Sequence, residues 1–229
     1  MLSQVEIKKS LGKYAAGLVT NSSIIGLGTG STVEWLIREL SLRVKEGLHI
    51  KAVPTSSDTR TRALEAGIEI IDLNEVDNLS ITIDGADEVD PGFQLIKGGG
   101  GALLQEKMVA AVSEKLVIIA DESKYVARLG KFPLPVEVIP NGWKHVQKKI
   151  IAEGCLRAEL RSNINEPYRT DNGHYIIDCH YGAIPDAVAL NTALHLIPGV
   201  IETGLFIDMA DKVILGYADG RIEVKTNDQ

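Results

Sequence analysis

Apolar residues recur at helical spacing over residues 5–19, and the run stops at the polar pair Asn21-Ser22. Residues 23–27 form a short apolar strand that runs into Gly28-Thr29-Gly30-Ser31-Thr32. Residues 33–44 predict an amphipathic helix with Val33, Leu36, Ile37 and Leu40 on one face. A strand at 50–53 and a helix at 59–66 follow, with Gly67 as the helix stop. Residues 68–71 and 79–83 read as two more strands. A long connection rich in glycine and aspartate begins at Asp84, helix returns over 102–113, and 116–120 is a wholly apolar strand. Strands alternating with helices predict an α/β fold whose parallel sheet is covered on both faces.

The pattern changes near Gly130. Strands are expected at 135–139, 155–160, 175–179 and 200–204, with helices at 143–153 and 186–195. That order, βαββαβ, is the split arrangement of ferredoxin-like domains. Residues 212–217 and 221–225 resemble an antiparallel pair around Asp219-Gly220. The expected organisation is a parallel-sheet domain made of 1–130 and 205–229, with a smaller α+β domain, 131–204, inserted before the C-terminal strands.

Composition narrows the classes of function. The 229 residues carry 24 Lys and Arg against 31 Asp and Glu, a net charge of −7, which argues against a nucleic-acid surface. A few local cations can still hold an anionic small molecule. Cys155 and Cys179 form no CxxC pair, so free buried thiols are expected, in keeping with a reducing compartment. The five histidines lack metal-ligand spacing and read as structural. Met1-Leu2-Ser3-Gln4-Val5-Glu6 lacks the basic-then-apolar layout of a secretory leader, and no apolar run is long enough to span a bilayer. A cytoplasmic protein without a membrane partner is the expectation.

Three segments can carry chemistry. In Gly28-Thr29-Gly30-Ser31-Thr32, glycines let the backbone approach a ligand, and the helix that follows offers unpaired amides and a positive dipole end. Ser31 and Thr32 add hydroxyls, one of which can cap the helix. The segment is no dinucleotide fingerprint, because Ser31 stands where a third glycine is needed. It is no P-loop either, because no lysine precedes Ser31 or Thr32. The expected ligand is a small phosphate ester; the alternative is a tight turn with an N-cap. Asp84-Gly85-Ala86-Asp87-Glu88-Val89-Asp90 follows a strand's carboxyl end, where carboxylates can bind sugar hydroxyls or move protons. A divalent-metal site and a solvated acidic turn are its alternatives. Lys97-Gly98-Gly99-Gly100-Gly101 leaves the backbone unusually unconstrained between Lys97 and Glu106, two charges whose commoner fate is the surface. Lys124 lies beyond another strand's carboxyl end, where it can meet an anion.

At these residues the sequence resembles the type A ribose-5-phosphate isomerases. The resemblance rests on Gly28 to Thr32, Asp84 to Glu88 and Lys97 to Gly100. Glu106-Lys107, the segments 130–138 and 170–173, Ile197-Pro198-Gly199-Val200 and Gly204-Leu205-Phe206 support it nearly to the C-terminus. It implies a Rossmann-like larger domain, a metal-free, cofactor-free reaction and a homodimer or homotetramer. It further implies that Thr29, Gly30, Ser31 and Thr32 hold a sugar phosphate. Asp84, Gly85, Ala86, Asp87, Lys97, Gly98, Gly99 and Gly100 would be further binding positions. Glu106 would be the catalytic base and Lys124 a phosphate contact, with Lys8 a second one. The chain departs from the family pattern at Gly101, Asn141-Gly142-Trp143 and Asn165-Glu166-Pro167.

The residues taken alone reach the same chemistry. Aldose–ketose isomerisation removes a proton beside a carbonyl and returns it to the neighbouring carbon, which one carboxylate on one face of a cis-enediolate can do. Lys97 can meet the developing oxyanion, Asp84 or Asp87 can move hydroxyl protons, and the phosphate is a remote handle. Two other classes compete. A coenzyme A transferase would use Glu106 as a nucleophile, and a sugar-phosphate sensor would need a DNA-binding segment, for which the first 20 residues are too short.

Overall fold

The computed structural model describes residues 1–164 and 166–227; Asn165, one of the departures from the family pattern, lies outside them. In chain order the elements are α1 (Gln4–Ala16), β1 (Ser23–Leu27), α2 (Ser31–Lys45), β2 (Ile50–Pro54), α3 (Ser57–Glu65), β3 (Glu69–Ile70), β4 (Ile81–Asp84), β5 (Glu88–Val89) and β6 (Leu95–Ile96). There follow α4 (Leu103–Ala111), β7 (Leu116–Asp121), β8 (Leu134–Val138), α5 (Trp143–Ala152), β9 (Arg157–Leu160) and β10 (Tyr175–His180). The last are α6 (Ala187–His195), β11 (Val200–Thr203), β12 (Leu205–Phe206), β13 (Lys212–Gly216) and β14 (Ile222–Thr226).

These fall into two compact units. The larger comprises Met1–Ala86, Gln105–Tyr125 and Met209–Gln229, and the smaller comprises Asp87–Leu104 and Val126–Asp208. Residues 87–104, expected in the larger domain, thus belong to the smaller unit. The cause is strand pairing: β5 and β6 pair with each other and β12 pairs with β6, through Leu205 opposite Ile96 and Phe206 opposite Leu95.

In the larger unit one sheet runs β14-β13-β7-β4-β1-β2-β3. All neighbours are parallel except β13 and β14, the antiparallel pair expected around Asp219-Gly220. Every residue of β7 is buried, as a strand covered on both faces requires. Helix α1 starts on a capping box: the Ser3 amide donates to Glu6 Oε2 at 2.7 Å, and the Glu6 amide donates to Ser3 Oγ at 3.3 Å. Its Ile7, Leu11 and Ala15 are buried with Val33, Leu36, Ile37 and Leu40 of α2 in one core. The helices cross at Gly12, where an added Cβ would sit 2.6 Å from the backbone carbon of Trp35. Strand order reverses at β1, whose neighbours are β2 and β4, so the crevice beyond the carboxyl ends of β1 and β4 is the topological switch point.

The smaller unit holds an antiparallel sheet, β11-β8-β10-β9, with α5 and α6 in the expected βαββαβ order. Val146 and Ile150 of α5 and Leu194 near the end of α6 are buried with Val136, Ile177 and Cys179 of that sheet. Cys155 and Cys179 are both free and buried. The Cys155 thiol is pulled down to about 7, first by its hydrogen bond with Cys179.

Candidate active site

The three segments end up at sites set by strand ends. In the larger unit, the turns after β1 and β4 meet across the switch point. The Thr29 amide donates to Asp84 Oδ1 at 3.0 Å, and the Gly85 amide donates to the same oxygen at 2.7 Å. The approach is so close that a Cβ on Gly28 would stand 2.0 Å from Asp84 Oδ1. Asp84 is 1% exposed, so the alternative of a solvated acidic turn does not describe it: it is a buried pin between two loops.

The Thr29 hydroxyl sits among three others: Thr55 Oγ1 at 2.8 Å, Ser56 Oγ at 2.8 Å and Thr59 Oγ1 at 3.2 Å. The Thr59 hydroxyl in turn donates to the Gly28 carbonyl at 2.8 Å. Thr55, Ser56 and Thr59 were not among the sequence candidates. Their only signal is position, just beyond the carboxyl end of β2, beside β1. Helix α2 begins at Ser31 with Gly30 as N-cap, at φ +116°, and no side chain caps it. Neither Ser31 nor Thr32 therefore takes the capping role allowed for them. Ser31 is exposed, and its hydroxyl accepts from Lys8 Nζ at 2.8 Å, which brings that cation to the head of the helix.

Glu106 lies in the first turn of α4 and is 5% exposed, so it is not ordinary surface charge. Lys124 ends the short turn Glu122–Lys124 after β7 and is partly buried. That turn is capped by the Asp121 carboxylate, which accepts the Ser123 amide at 3.1 Å and the Ser123 hydroxyl.

In the smaller unit Lys97 is 2% exposed, and its ammonium stands over the Phe206 ring, 5.4 Å from the centroid. Burial over an aromatic face keeps a cation poorly hydrated, which strengthens its pull on any anion beside it. Its amide donates to the Gly204 carbonyl at 2.9 Å, so the motif Gly204-Leu205-Phe206 supports Lys97 directly. The Gly99 amide donates to Asp87 Oδ2 at 2.8 Å, joining the aspartate segment to the glycine run. Gly98 and Gly101 have φ of +99° and +85°, a region L side chains avoid. A Cβ at Gly101 would also lie 2.2 Å from Tyr168 Oη, which explains glycine at a position where the chain departs from the family pattern.

Two carboxylates of the acidic segment are structural. Glu88 Oε2 accepts the Gly130 amide and Oε1 the Phe132 amide, each at 2.7 Å. Asp90 Oδ1 accepts the amides of Gly92 and Gln94 at 2.9 and 3.0 Å. Among the described residues no three His, Cys, Asp or Glu side chains are grouped so that they could hold a metal ion. His174 and His195 are paired with Glu137 and Glu202, each at 2.9 Å, in keeping with structural roles.

A model of the family described as ribose 5-phosphate isomerase A (phosphoriboisomerase A) matches residues 51–220. The ribose-5-phosphate isomerase A of Bacillus mycoides (strain KBAB4) is 52% identical over 217 residues, spanning 94% of this chain and 98% of that protein. Among solved structures, the ribose 5-phosphate isomerase A of Neisseria gonorrhoeae has a TM-score of 0.92 at 43% identity, with 100% of both chains covered. A D-ribose-5-phosphate isomerase in complex with phospho-erythronic acid has a TM-score of 0.95 at 39% identity, covering 99% of this chain and 100% of that one.

Proposed function

The chain belongs to the ribose 5-phosphate isomerase A family, and from that premise we propose how its residues divide the work. The enzyme interconverts D-ribose 5-phosphate and D-ribulose 5-phosphate, a step of the pentose phosphate pathway. The observation that carries the assignment of the base is the burial of Glu106, a carboxylate at 5% exposure directly after the glycine run.

Glu106 takes the proton from C2 of the open-chain aldose. The C–H electron pair becomes the C1=C2 double bond, and the carbonyl electrons move to O1. Returning the proton to C1, while the C2 hydroxyl gives up its own and O1 takes one up, yields the ketose with its C1 hydroxyl. Lys97 balances the charge on the enediolate oxygens, the kind of preorganised contact that commonly contributes most to such a step. Asp84 and Asp87 move hydroxyl protons and help open the ring. Thr29, Gly30, Ser31, Thr32 and Lys124 hold the phosphate, with Lys8 beside Ser31 as an additional cation. Gly85, Ala86, Gly98, Gly99 and Gly100 complete the binding surface with backbone groups.

No metal or other cofactor enters this scheme. The larger unit is the catalytic domain and the smaller an α+β accessory domain. Exposed Leu156, Ile164, Val188 and Leu196 on the smaller unit support a homodimer or homotetramer. The two free buried cysteines suit the cytoplasm. The test is a coupled assay with ribose 5-phosphate after exhaustive chelation, comparing the wild type with Glu106→Gln. A silent wild type would sink the activity, and an active Glu106→Gln would sink the base.

A further inference from the structure

Arg161 was singled out by no motif, yet it grips the glycine loop. It follows β9, with its side chain 16% exposed beside Asp178 at 23%. Nε donates to Asp178 Oδ2 at 2.9 Å and Nη2 to Oδ1 at 2.5 Å, the bidentate fork that fixes the guanidinium plane. Nη1 then donates to two consecutive carbonyls, Gly98 O at 2.9 Å and Gly99 O at 3.2 Å.

A trans peptide is planar, with its carbonyl and its N–H on opposite sides. Because Gly98 O faces the guanidinium, the N–H of Gly99 must point away from it, and there it meets Asp87 Oδ2 at 2.8 Å. The peptide unit between Gly98 and Gly99 is thus held between a cation and a carboxylate. The same rule applies one unit on: with Gly99 O turned to Arg161, the Gly100 N–H is turned away from it. Tyr168 Oη donates to Gly100 O at 3.3 Å and fixes the next unit, and the Arg161 guanidinium lies 5.8 Å from the Tyr168 ring centroid.

We propose that Arg161 is a positioning residue for the isomerase reaction: through the Gly98–Gly99–Gly100 backbone it orients the Asp87 carboxylate and aims the Gly100 N–H at a substrate oxygen. The inference rests on the reading that Asp87 and the glycine loop bind substrate. Lysine cannot take this place. It is a point charge without a fork, whereas Arg161 uses four directed contacts at once. Asp178 belongs to the device as the anchor of the guanidinium.

The test measures kcat and KM for ribose 5-phosphate, with melting curves, in the wild type, Arg161→Ala and Arg161→Lys. A cavity of about 630 Å³, lined by Gly99, Phe132, Arg161 and Asp178 among others, borders the guanidinium. Free guanidinium ion, at concentrations that leave the fold intact, can therefore reach the gap that Arg161→Ala creates. We expect kcat and kcat/KM of Arg161→Ala to fall together, on the order of 10- to 100-fold, because the loop's donors are misplaced. Guanidinium should restore part of that loss, and methylammonium should not.

A folded Arg161→Ala with wild-type kcat overturns the proposal, as does a loss that guanidinium leaves untouched. Should Arg161→Ala not fold, Arg161→Lys decides: it keeps charge and stem, so a folded protein with wild-type kcat overturns the proposal and a reduced kcat at unchanged melting temperature supports it. Inactivity of the wild type would instead sink the isomerase reading, and the proposal with it.

Discussion

The Thr29 amide and the Asp84 carboxylate, 3.0 Å apart, join the turns after two adjacent parallel strands. The same Asp84 oxygen accepts the Gly85 amide, so one atom fixes both lips of the switch-point crevice. The proposed scheme gives this side chain a chemical task beside its structural one, and substitutions can separate them. Asp84→Asn keeps an oxygen acceptor for both amides and should fold with a melting temperature near that of the wild type, while turnover drops. Gly28→Ala forces a Cβ to within 2.0 Å of Asp84 Oδ1 and should destabilise by about 1–3 kcal/mol, the usual range for overpacking. Thermal melts beside turnover measurements check both. An Asp84→Asn protein as unstable as Gly28→Ala would show that the charge, not the shape, holds the loops.

Glu106→Gln should fold, bind the sugar phosphate and turn over very little. The glutamine is nearly isosteric in a buried place but has no basicity to offer. Proton transfer by a positioned group is typically worth about 10²–10⁴-fold, so kcat should fall at least that far. Calorimetric binding of substrate to the variant separates lost chemistry from lost affinity, and near-normal turnover would remove Glu106 from its role.

How much of this was readable beforehand depends on length and repetition. Helices α1 and α2 and strand β7 each carry enough apolar positions to declare their period. Even so, residues 17–19, expected to continue α1, fall outside it. Strands β5, β6 and β12 have two residues apiece, too few for any periodicity; β5 and β6 pair with each other, and Leu205 and Phe206 return to pair with Ile96 and Leu95. Without those pairings residues 87–104 read as part of the larger domain, whereas they group with the smaller unit. Among the proposed site residues, Lys97 and Glu106 stand out in the sequence through the glycines between them. Thr55, Thr59 and Arg161 did not, because their partners lie 26, 31 and 63 positions away and only the fold brings them together. Glu88 erred in the other direction: it looked available in sequence, but the amides of Gly130 and Phe132 occupy both its oxygens.

Activity should survive exhaustive chelation. Of the carboxylates in the acidic segment, Glu88 and Asp90 each accept two backbone amides and so does Asp84, so all three already serve to hold the backbone. In the proposed scheme Lys97 supplies the positive charge that a metal would otherwise bring. The check is turnover before and after treatment with a chelator, followed by magnesium or manganese. Loss on chelation with recovery on metal addition would overturn the expectation.

Lys124→Ala should weaken recognition of phosphate more than recognition of the sugar. Lys124 closes the turn after β7, and β7 lies next to β4 in the sheet, so its chain segment leaves the same carboxyl edge as the Thr29–Thr32 turn. An ammonium there adds a point charge to the amides and dipole of the helix that begins at Ser31. Its removal should raise KM for ribose 5-phosphate, and it should lower kcat as well where the phosphate no longer holds the reacting carbons in place. Unphosphorylated ribose should be a poor substrate of both proteins and nearly indifferent to the change. Inorganic phosphate should compete with substrate in the wild type and less well in the variant. The deciding quantity is the ratio of kcat/KM for ribose 5-phosphate to that for ribose. A ratio that falls in Lys124→Ala places the lysine at the phosphate; an unchanged ratio would leave Lys8, whose Nζ lies 2.8 Å from Ser31 Oγ, as the cation that serves it.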